Sequence, residues 1–347
     1  MPTIEVRPET EELLQQIADA LLKSRKVVVI TGAGISTNSG IPDFRSENGL
    51  YSLIQAQFDA ASKLNALESS DGRDLFDVSI WADPVRTSVF YTFASTLRQK
   101  SRDVQPTASH HFISHLRDRG KLVRCYTQNI DQIEEKVGLS TSLQQGPGSH
   151  TTTVNNGGVE CVFLHGSLQS LRCFLCGQVC EWDAEGRHLE TLSGRQPECP
   201  HCAGATAARQ ERGKRALGVG KLRPDIVLYG EEHPNAHLID PLVKHDLALY
   251  PDFMLILGTS LKVHGLKVIV REFARAVHSK GGKVVFVNFT KAPESAWGDI
   301  IDYWIRWDCD AWVANLQQRI PLLWLPPGTK LPKRKRESSS LEKAPKK

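Results

Sequence analysis

Leu13, Leu14, Ile17, Leu21 and Leu22 recur at helical spacing behind Thr10, which predicts an amphipathic helix over 10–23 with Thr10 as its N-cap. A β-branched run from Lys26 to Ile30 follows and is closed by Gly32 and Gly34, the pattern of a strand buried on both faces that ends in a tight loop. The same signature returns at Leu122 to Tyr126, Phe253 to Leu257 and Lys283 to Val287, with a shorter run from Cys161 to Leu164. Buried strands alternating with helical stretches predict an α/β fold with a doubly wound, Rossmann-like parallel sheet. In that architecture ligands sit at the carboxyl ends of the strands, so the loops to inspect are those that follow each run.

Two stretches break the alternation. Residues 51–100 carry a helical pattern without a strand-like run, and 168–223 are rich in Cys, Gly and charge. The expected organisation is an N-terminal helix in 1–23 and a sheet domain in 24–167 and 224–325. Into it are inserted a helical module at 50–100 and a zinc-binding module at 168–223, which together form a smaller lobe, and a basic disordered tail follows at 326–347. Ser140 to Gly158 is Gly/Ser/Thr-rich and reads as a loop.

Composition narrows the picture. At 347 residues, 40% of them hydrophobic, the chain has material for about two domains. No apolar run approaches the ~18 residues of a membrane span, and Glu5, Arg7 and Glu9 stand where a signal peptide needs an apolar stretch. The net charge of +4 is misleading: Lys330 to Lys347 holds eight Lys/Arg against Glu337 and Glu342, so the remainder is slightly acidic. No sequence-specific DNA binding and no membrane association is expected of the body.

Four of the eight cysteines form two Cys-x-x-Cys pairs, Cys173 with Cys176 and Cys199 with Cys202. Four thiolates in two knuckles suit one tetrahedral zinc ion, and a site closed by four cysteines is structural rather than catalytic. Cys180, His188 and His201 lie close enough in sequence to compete as ligands.

The loop from Thr31 to Ser36 offers Gly32 and Gly34 as a path for backbone amides to a pyrophosphate at a helix N-terminus. A dehydrogenase fingerprint fails here, because Thr37 stands where a third glycine belongs and no acidic strand end follows about 20 residues on. Gly40 to Ser46 adds Asp43, Phe44 and Arg45 behind a stiff Gly-Ile-Pro turn: an anion partner and a stacking face, or a surface ion pair. Thr127 to Asp131 places Gln128, Asn129 and Asp131 at a strand end, where the alternative role of Asn129 or Asp131 is a helix cap. His165, at another strand end and followed by Gly166, suits a general base working near neutral pH. His110, His111 and His115 share one helical stretch and read as packing or surface groups.

Taken in order, Gly32 to Ser36, Gly40 to Arg45, Thr127 to Asp131, His165-Gly166 and the four cysteines resemble the sirtuin family of NAD-dependent protein lysine deacylases. The likeness continues through Arg223 to Glu231, Gly258 to Val263, Asn288 to Thr290 and Asp308 to Asp310. Asp74 to Asp77, Pro106 to His110 and the basic tail are most similar to the fungal nuclear branch that acts on histones, although Gly265 replaces a proline frequent in the family.

The resemblance implies NAD as cofactor, one structural zinc, and acetylated protein lysine, foremost of histones in chromatin, as partner. It implies His165 as base and Asn129 as orienter of the ribose. NAD would contact Gly32, Ala33, Gly34, Ile41, Asp43, Phe44, Arg45, Gln128, Ile130 and Asp131, with Asp131 and Ile41 at the nicotinamide carboxamide and Phe44 screening the departing nicotinamide. Its adenosine end would meet Gly258, Thr259, Ser260, Asn288, Phe289, Thr290 and the Cys309 backbone. An extended substrate peptide would lie between Val227, Tyr229, Gly230 and Glu231 on one side and Leu261 on the other, by β-augmentation. No arginine falls between Arg45 and Arg73, so neutral acyl groups are expected over succinyl. Pro332 to Arg336 resembles a nuclear import signal, making residence nuclear, with a cytoplasmic share open. Two competing functions remain: transfer of ADP-ribose to protein, and a non-catalytic acetyl-lysine-binding module.

Overall fold

The structure is a computed structural model and describes residues 2–43, 49, 50, 52, 76–148 and 158–325. The first half of the chain contributes β1 (Ile4–Val6), α1 (Glu11–Lys23), β2 (Val27–Thr31), α2 (Pro84–Asp103), α3 (Ala108–Asp118), β3 (Leu122–Thr127), α4 (Ile133–Lys136) and β4 (Cys161–Phe163). Then come β5 (Gly166–Cys173), β6 (Val179–Glu181), α5 (Arg187–Leu192), α6 (Pro200–Gln210) and β7 (Leu222–Ile226). The chain closes with α7 (Ala236–Ala248), β8 (Phe253–Leu257), α8 (His264–Ser279), β9 (Lys283–Val287), α9 (Glu294–Trp297), β10 (Tyr303–Ile305) and α10 (Cys309–Arg319).

Seven parallel strands form one sheet in the order β1-β10-β9-β8-β2-β3-β4. Alternation along β2 shows why it is central: Val27 and Val29 face one core, Val28 and Ile30 the other, and all are fully buried. On the first face lie Leu14, Ile17 and Leu21 of α1, Phe112 of α3 and Trp312 of α10. On the second lie Leu242 of α7 and Val270, Phe273 and Val277 of α8. Helices on both faces make the sheet doubly wound.

The chain winds outward from β2 through β3 to β4, then returns to lay β8 on the other side of β2. This reversal is the switch point of the sheet, the place beside which α/β proteins of this kind form their ligand crevice. A third core joins Phe90 and Leu97 of α2 to Leu171, Trp182 and Leu222 of the three-stranded sheet β6-β5-β7. Residues 76–103 and the zinc segment are thus parts of one small lobe. Residues 53–75 of the expected helical module and the tail 326–347 lie outside the described residues.

Three local expectations change. Residues 1–23 hold more than a helix, because Ile4–Val6 adds the edge strand β1 beside β10. Thr10 precedes α1, but its hydroxyl bonds back to the Arg7 amide and carbonyl (2.9 and 2.6 Å) instead of capping the helix. The boundary at 167/168 falls inside β5, since the strand that leaves the crevice at Gly166 runs unbroken to the first zinc knuckle at Cys173. Among the described residues no helix is long and apolar enough to cross a membrane.

Candidate active site

The crevice begins where two loops touch. A Cβ on Gly34 would stand 2.7 Å from the Gly258 Cα, and one on Gly258, whose φ is +60°, 2.7 Å from the Gly34 backbone. Glycine is therefore required for the loops after β2 and β8 to approach. The Gly34 and Gly32 amides donate to the Gly258 and Leu257 carbonyls (2.9 and 3.0 Å). This corrects the sequence reading on one point: these amides stitch the loops together, and the chain continues into two 3-10 turns, Ala33–Ile35 and Thr37–Ser39, not into an α-helix.

At the end of β3, Gln128 spans the crevice floor. Its side-chain amide donates to the Thr31 carbonyl and the Thr259 hydroxyl (3.1 and 2.7 Å). Asn129 is 3% exposed and donates from Nδ2 to Ser36 Oγ at 3.3 Å. It therefore orients toward the loop after β2 and caps no helix. Asp131, 6% exposed, accepts from the Ile133 amide at 3.3 Å, and the Ser36 hydroxyl also serves it. Burial raises its carboxyl above the ordinary value, against the pull of those hydrogen bonds. Ile130 and Ile41 are buried beside it in the core of the small lobe.

His165 enters from the end of β4. Its Nδ1 lies 3.0 Å from the Gln128 carbonyl, and since a carbonyl only accepts, Nδ1 carries the proton and Nε2 keeps its lone pair. Burial pushes the ring below the ordinary histidine value; the Gln128 carbonyl opposes this, and nearby His233 adds to it. A neutral imidazole whose oriented Nε2 has no partner among the described residues is equipped to take a proton.

The far end of the crevice is built by β9 and α10. Asn288 Nδ2 donates to the Thr290 carbonyl and hydroxyl (3.0 and 2.8 Å), leaving Phe289 65% exposed at the turn. Cys309 is buried at the first turn of α10, which Asp308 caps through the Ala311 amide. Asp43 is half-buried, its carbonyl accepting from the Leu50 amide, whereas Phe44 and Arg45 lie outside the described residues.

The expected peptide-binding segment is already partly paired. The Val227 amide donates to the His165 carbonyl at 2.8 Å. Tyr229 exchanges hydrogen bonds with Phe76 and Val78 (2.6 and 2.9 Å), bridging the two parts of the small lobe. The Glu231 carboxylate accepts from Arg223, the Leu228 amide and Trp81 Nε1, which directs it into the turn that carries Gly230. Its observed work is to hold this turn. Across the crevice Leu261 is 1% exposed with φ +53°, a strained backbone for a branched residue.

In the small lobe the four sulfurs of Cys173, Cys176, Cys199 and Cys202 lie within 4.8 Å of one another. The Leu175 and Cys176 amides point at Cys173 Sγ (3.3 and 3.5 Å), the donor arrangement that stabilises a thiolate. Four soft donors gathered in this way fit one zinc ion. Cys180, His188 and His201 are not in the cluster.

Reasoning from sequence missed Ser36, which serves both Asn129 and Asp131, and Glu134, buried beneath them. A serine after glycines carries no pattern of its own. Glu134 offered a faint signal: a charge on the side of a short helix that must face the sheet.

Known proteins resemble this chain over most of its length. The sequence model of the Sir2 family matches residues 32–265. The NAD-dependent histone deacetylase HST3 of Saccharomyces cerevisiae is 42% identical over 339 residues, 96% of this chain and 74% of that protein. HST3 of Candida albicans is 42% identical over 321 residues, covering 91% of this chain and 64% of the relative. NAD-dependent protein deacetylase hst4 of Schizosaccharomyces pombe is 34% identical over 316 residues, 90% of this chain and 70% of that protein. Among solved structures, a Sir2 homolog–NAD complex superposes with a TM-score of 0.63 at 22% identity over 93% of this chain and 98% of that one, a likeness of fold.

Proposed function

The chain belongs to the Sir2 family, and from that premise we propose that it is an NAD-dependent protein lysine deacetylase acting on acetylated histone lysines. The products are nicotinamide, the free lysine and O-acetyl-ADP-ribose. The observation that carries this reading is His165: its Nδ1 is committed to the Gln128 carbonyl, and its Nε2 takes no partner among the described residues at the strand ends that also carry buried Asn129 and Asp131.

The residues present fit NAD. The crevice stands at the switch point of the sheet, and its buried polar groups at one end, Asn129, Asp131 and Ser36, match an amide and ribose hydroxyls. When bound, NAD supplies an electrophilic ribose carbon and a nicotinamide leaving group. Asp131 and Ile41 hold the carboxamide in a pocket that excludes water, Asn129 orients the ribose, and His165 Nε2 takes the ribose hydroxyl proton. Gly258 to Ser260, Asn288 and the Cys309 backbone hold the adenosine end. Zinc, held by the four cysteines, fixes the small lobe and takes no part in proton transfer. The peptide lies along Val227 to Gly230 and opposite Leu261, using main-chain groups that Tyr229 does not already share with Phe76 and Val78.

Incubating the protein with an acetylated histone H3 peptide, with and without NAD, beside His165→Ala, and weighing the products by mass spectrometry tests the reading. Loss of acetyl and appearance of O-acetyl-ADP-ribose, absent in the variant, is expected. A peptide heavier by ADP-ribose would make the protein a transferase, and binding without turnover would make it a reader of acetyl-lysine. The same assay should favour acetyl over succinyl peptide. Nuclear residence belongs to the same proposal; a tagged chain lacking residues 330–347 is expected in the cytoplasm, and an unchanged nuclear signal would count against the import role of the tail.

A further inference from the structure

Beneath the crevice, α4 carries a carboxyl that the proposed reaction does not use. Glu134 is 0% exposed, and neither of its carboxylate oxygens is held by a well-formed hydrogen bond among the described residues, although the Thr127 hydroxyl lies near enough to favour its charged form. An ionised carboxylate placed in this way is strongly disfavoured. The titratable and charged groups around it are Asp131, Glu135 and Lys136 on its own segment, with Cys161 of β4 and its cross-strand partner Cys125 of β3. Lys136 gives Glu134 no hydrogen bond, because its ammonium donates to the Ser101, Arg102 and Val104 carbonyls (2.7, 2.8 and 2.6 Å).

The two buried acids differ in their partners. Asp131 has the Ile133 amide and the Ser36 hydroxyl, both of which favour its charged form. Burial first, and then Asp131 itself, push the Glu134 carboxyl up to about 8, with the Thr127 hydroxyl pulling weakly the other way. Two such acids titrate as a pair, and the last proton settles on the one with fewer donors.

We infer that Glu134 is a positioning residue that carries the shared proton of this buried pair and so leaves Asp131 as the ionised acceptor for the nicotinamide carboxamide. The inference rests on the assignment of Asp131 above and adds the residue that sets its charge. When alkaline pH removes the shared proton, two unscreened negative charges face each other beneath the crevice, the loop from Asn129 to Ile133 shifts to relieve them, and the grip on nicotinamide weakens.

Glutamine copies the protonated glutamate in shape and neutrality, and methionine copies it in length and neutrality. The test measures KM for NAD and inhibition by nicotinamide between about pH 6 and about 9.5 in the wild type, Glu134→Gln, Glu134→Met and Asp131→Asn, with thermal unfolding over the same range. The wild type is expected to lose NAD affinity several-fold as pH rises through about 8. Glu134→Gln should keep the wild-type KM at pH 7 within about twofold and lack the alkaline loss; Glu134→Met serves the same test if the glutamine variant does not fold. An alkaline loss retained in both neutral variants would overturn the inference, as would a melting shift with no change in the pH dependence of KM. If Asp131→Asn leaves NAD and nicotinamide binding untouched, the assignment of Asp131 fails first and the inference with it.

Discussion

In the proposed reaction His165 serves as the base because one carbonyl decides which of its nitrogens holds the proton. Replacing it with alanine is expected to reduce deacetylation by roughly a hundredfold or more while leaving the melting temperature nearly unchanged, as turnover and calorimetry on the same sample would show. Its ring is held below the ordinary histidine value by burial, so the base stays neutral as pH falls through 6.5, and the acid limb of kcat/KM should lie below that value. Glu134 adds a stability effect of opposite reach. The carboxyl's raised value means that its contribution is present below 4.5 and is lost as pH rises to about 8. Glu134→Gln should therefore melt higher than the wild type at pH 8 and equally near pH 4. Some of these residues announce themselves in the sequence and others do not. His165 and Asn129 follow recognisable strands, so their place at the crevice could be read from the order of elements. Ser36 and Glu134 gain meaning only when distant segments meet, because the partners of the one and the isolation of the other are tertiary facts.

At the scale of elements, one buried network ties a helix to the sheet. Arg124 and Tyr126 project from β3 to Asp246 of α7, with contacts of 2.7 and 3.0 Å from the guanidinium and 2.8 Å from the phenol, and both charged side chains are 0% exposed. Asp246→Ala would leave the arginine charge buried and unpaired, and is expected to destabilise the fold by about 3–5 kcal/mol in chemical denaturation. His110 closes the start of α3 by accepting the Thr107 amide through Nδ1 at 3.2 Å. Burial holds its value down to about 4, so stability that is present above 6.5 should be lost as pH falls toward 4, and an uncharged replacement such as His110→Gln should flatten that slope of the melting curve. The strands were legible because β-branched runs long enough to cross a two-sided core have few alternatives; Phe253 to Leu257 and Lys283 to Val287 begin and end where their patterns do. Ile4 to Val6 escaped notice because three residues cannot display a period, and the pairing that makes them a strand lies at Tyr303 to Ile305. The expected helix after Gly34 gave way to 3-10 turns because the loop is held by β8.

For the whole molecule, the small lobe draws its core from both inserted segments, so the zinc cluster supports more than its own knuckles. Cys173, Cys199 and Cys202 lie in the same core as Phe76 and Phe90. Chelation of zinc, or Cys199→Ser, is expected to loosen this lobe and abolish turnover while protecting the amides of β2, β3 and β8, an outcome that hydrogen exchange would map. Two Cys-x-x-Cys pairs made the metal legible, whereas the union of the two modules was not, since no local pattern records which insertion packs on which. The order of strands carries a further consequence, for biosynthesis. The central strand β2 lies between β3 and β8, and β8 begins at Phe253, 90 residues after β4 ends at Phe163. At about 5–20 residues per second, a ribosome takes roughly 5–20 seconds to cross that interval. Throughout it the nascent half-sheet presents β2, apolar from Val27 to Ile30, as an open edge, a hazard for edge-to-edge association. The outermost pairing, β1 with β10, closes later still, since it joins Ile4–Val6 to Tyr303–Ile305. Such a sheet is complete only once β10 has been made, and the protein's yield should depend on chaperones that shield β2 until β8 arrives.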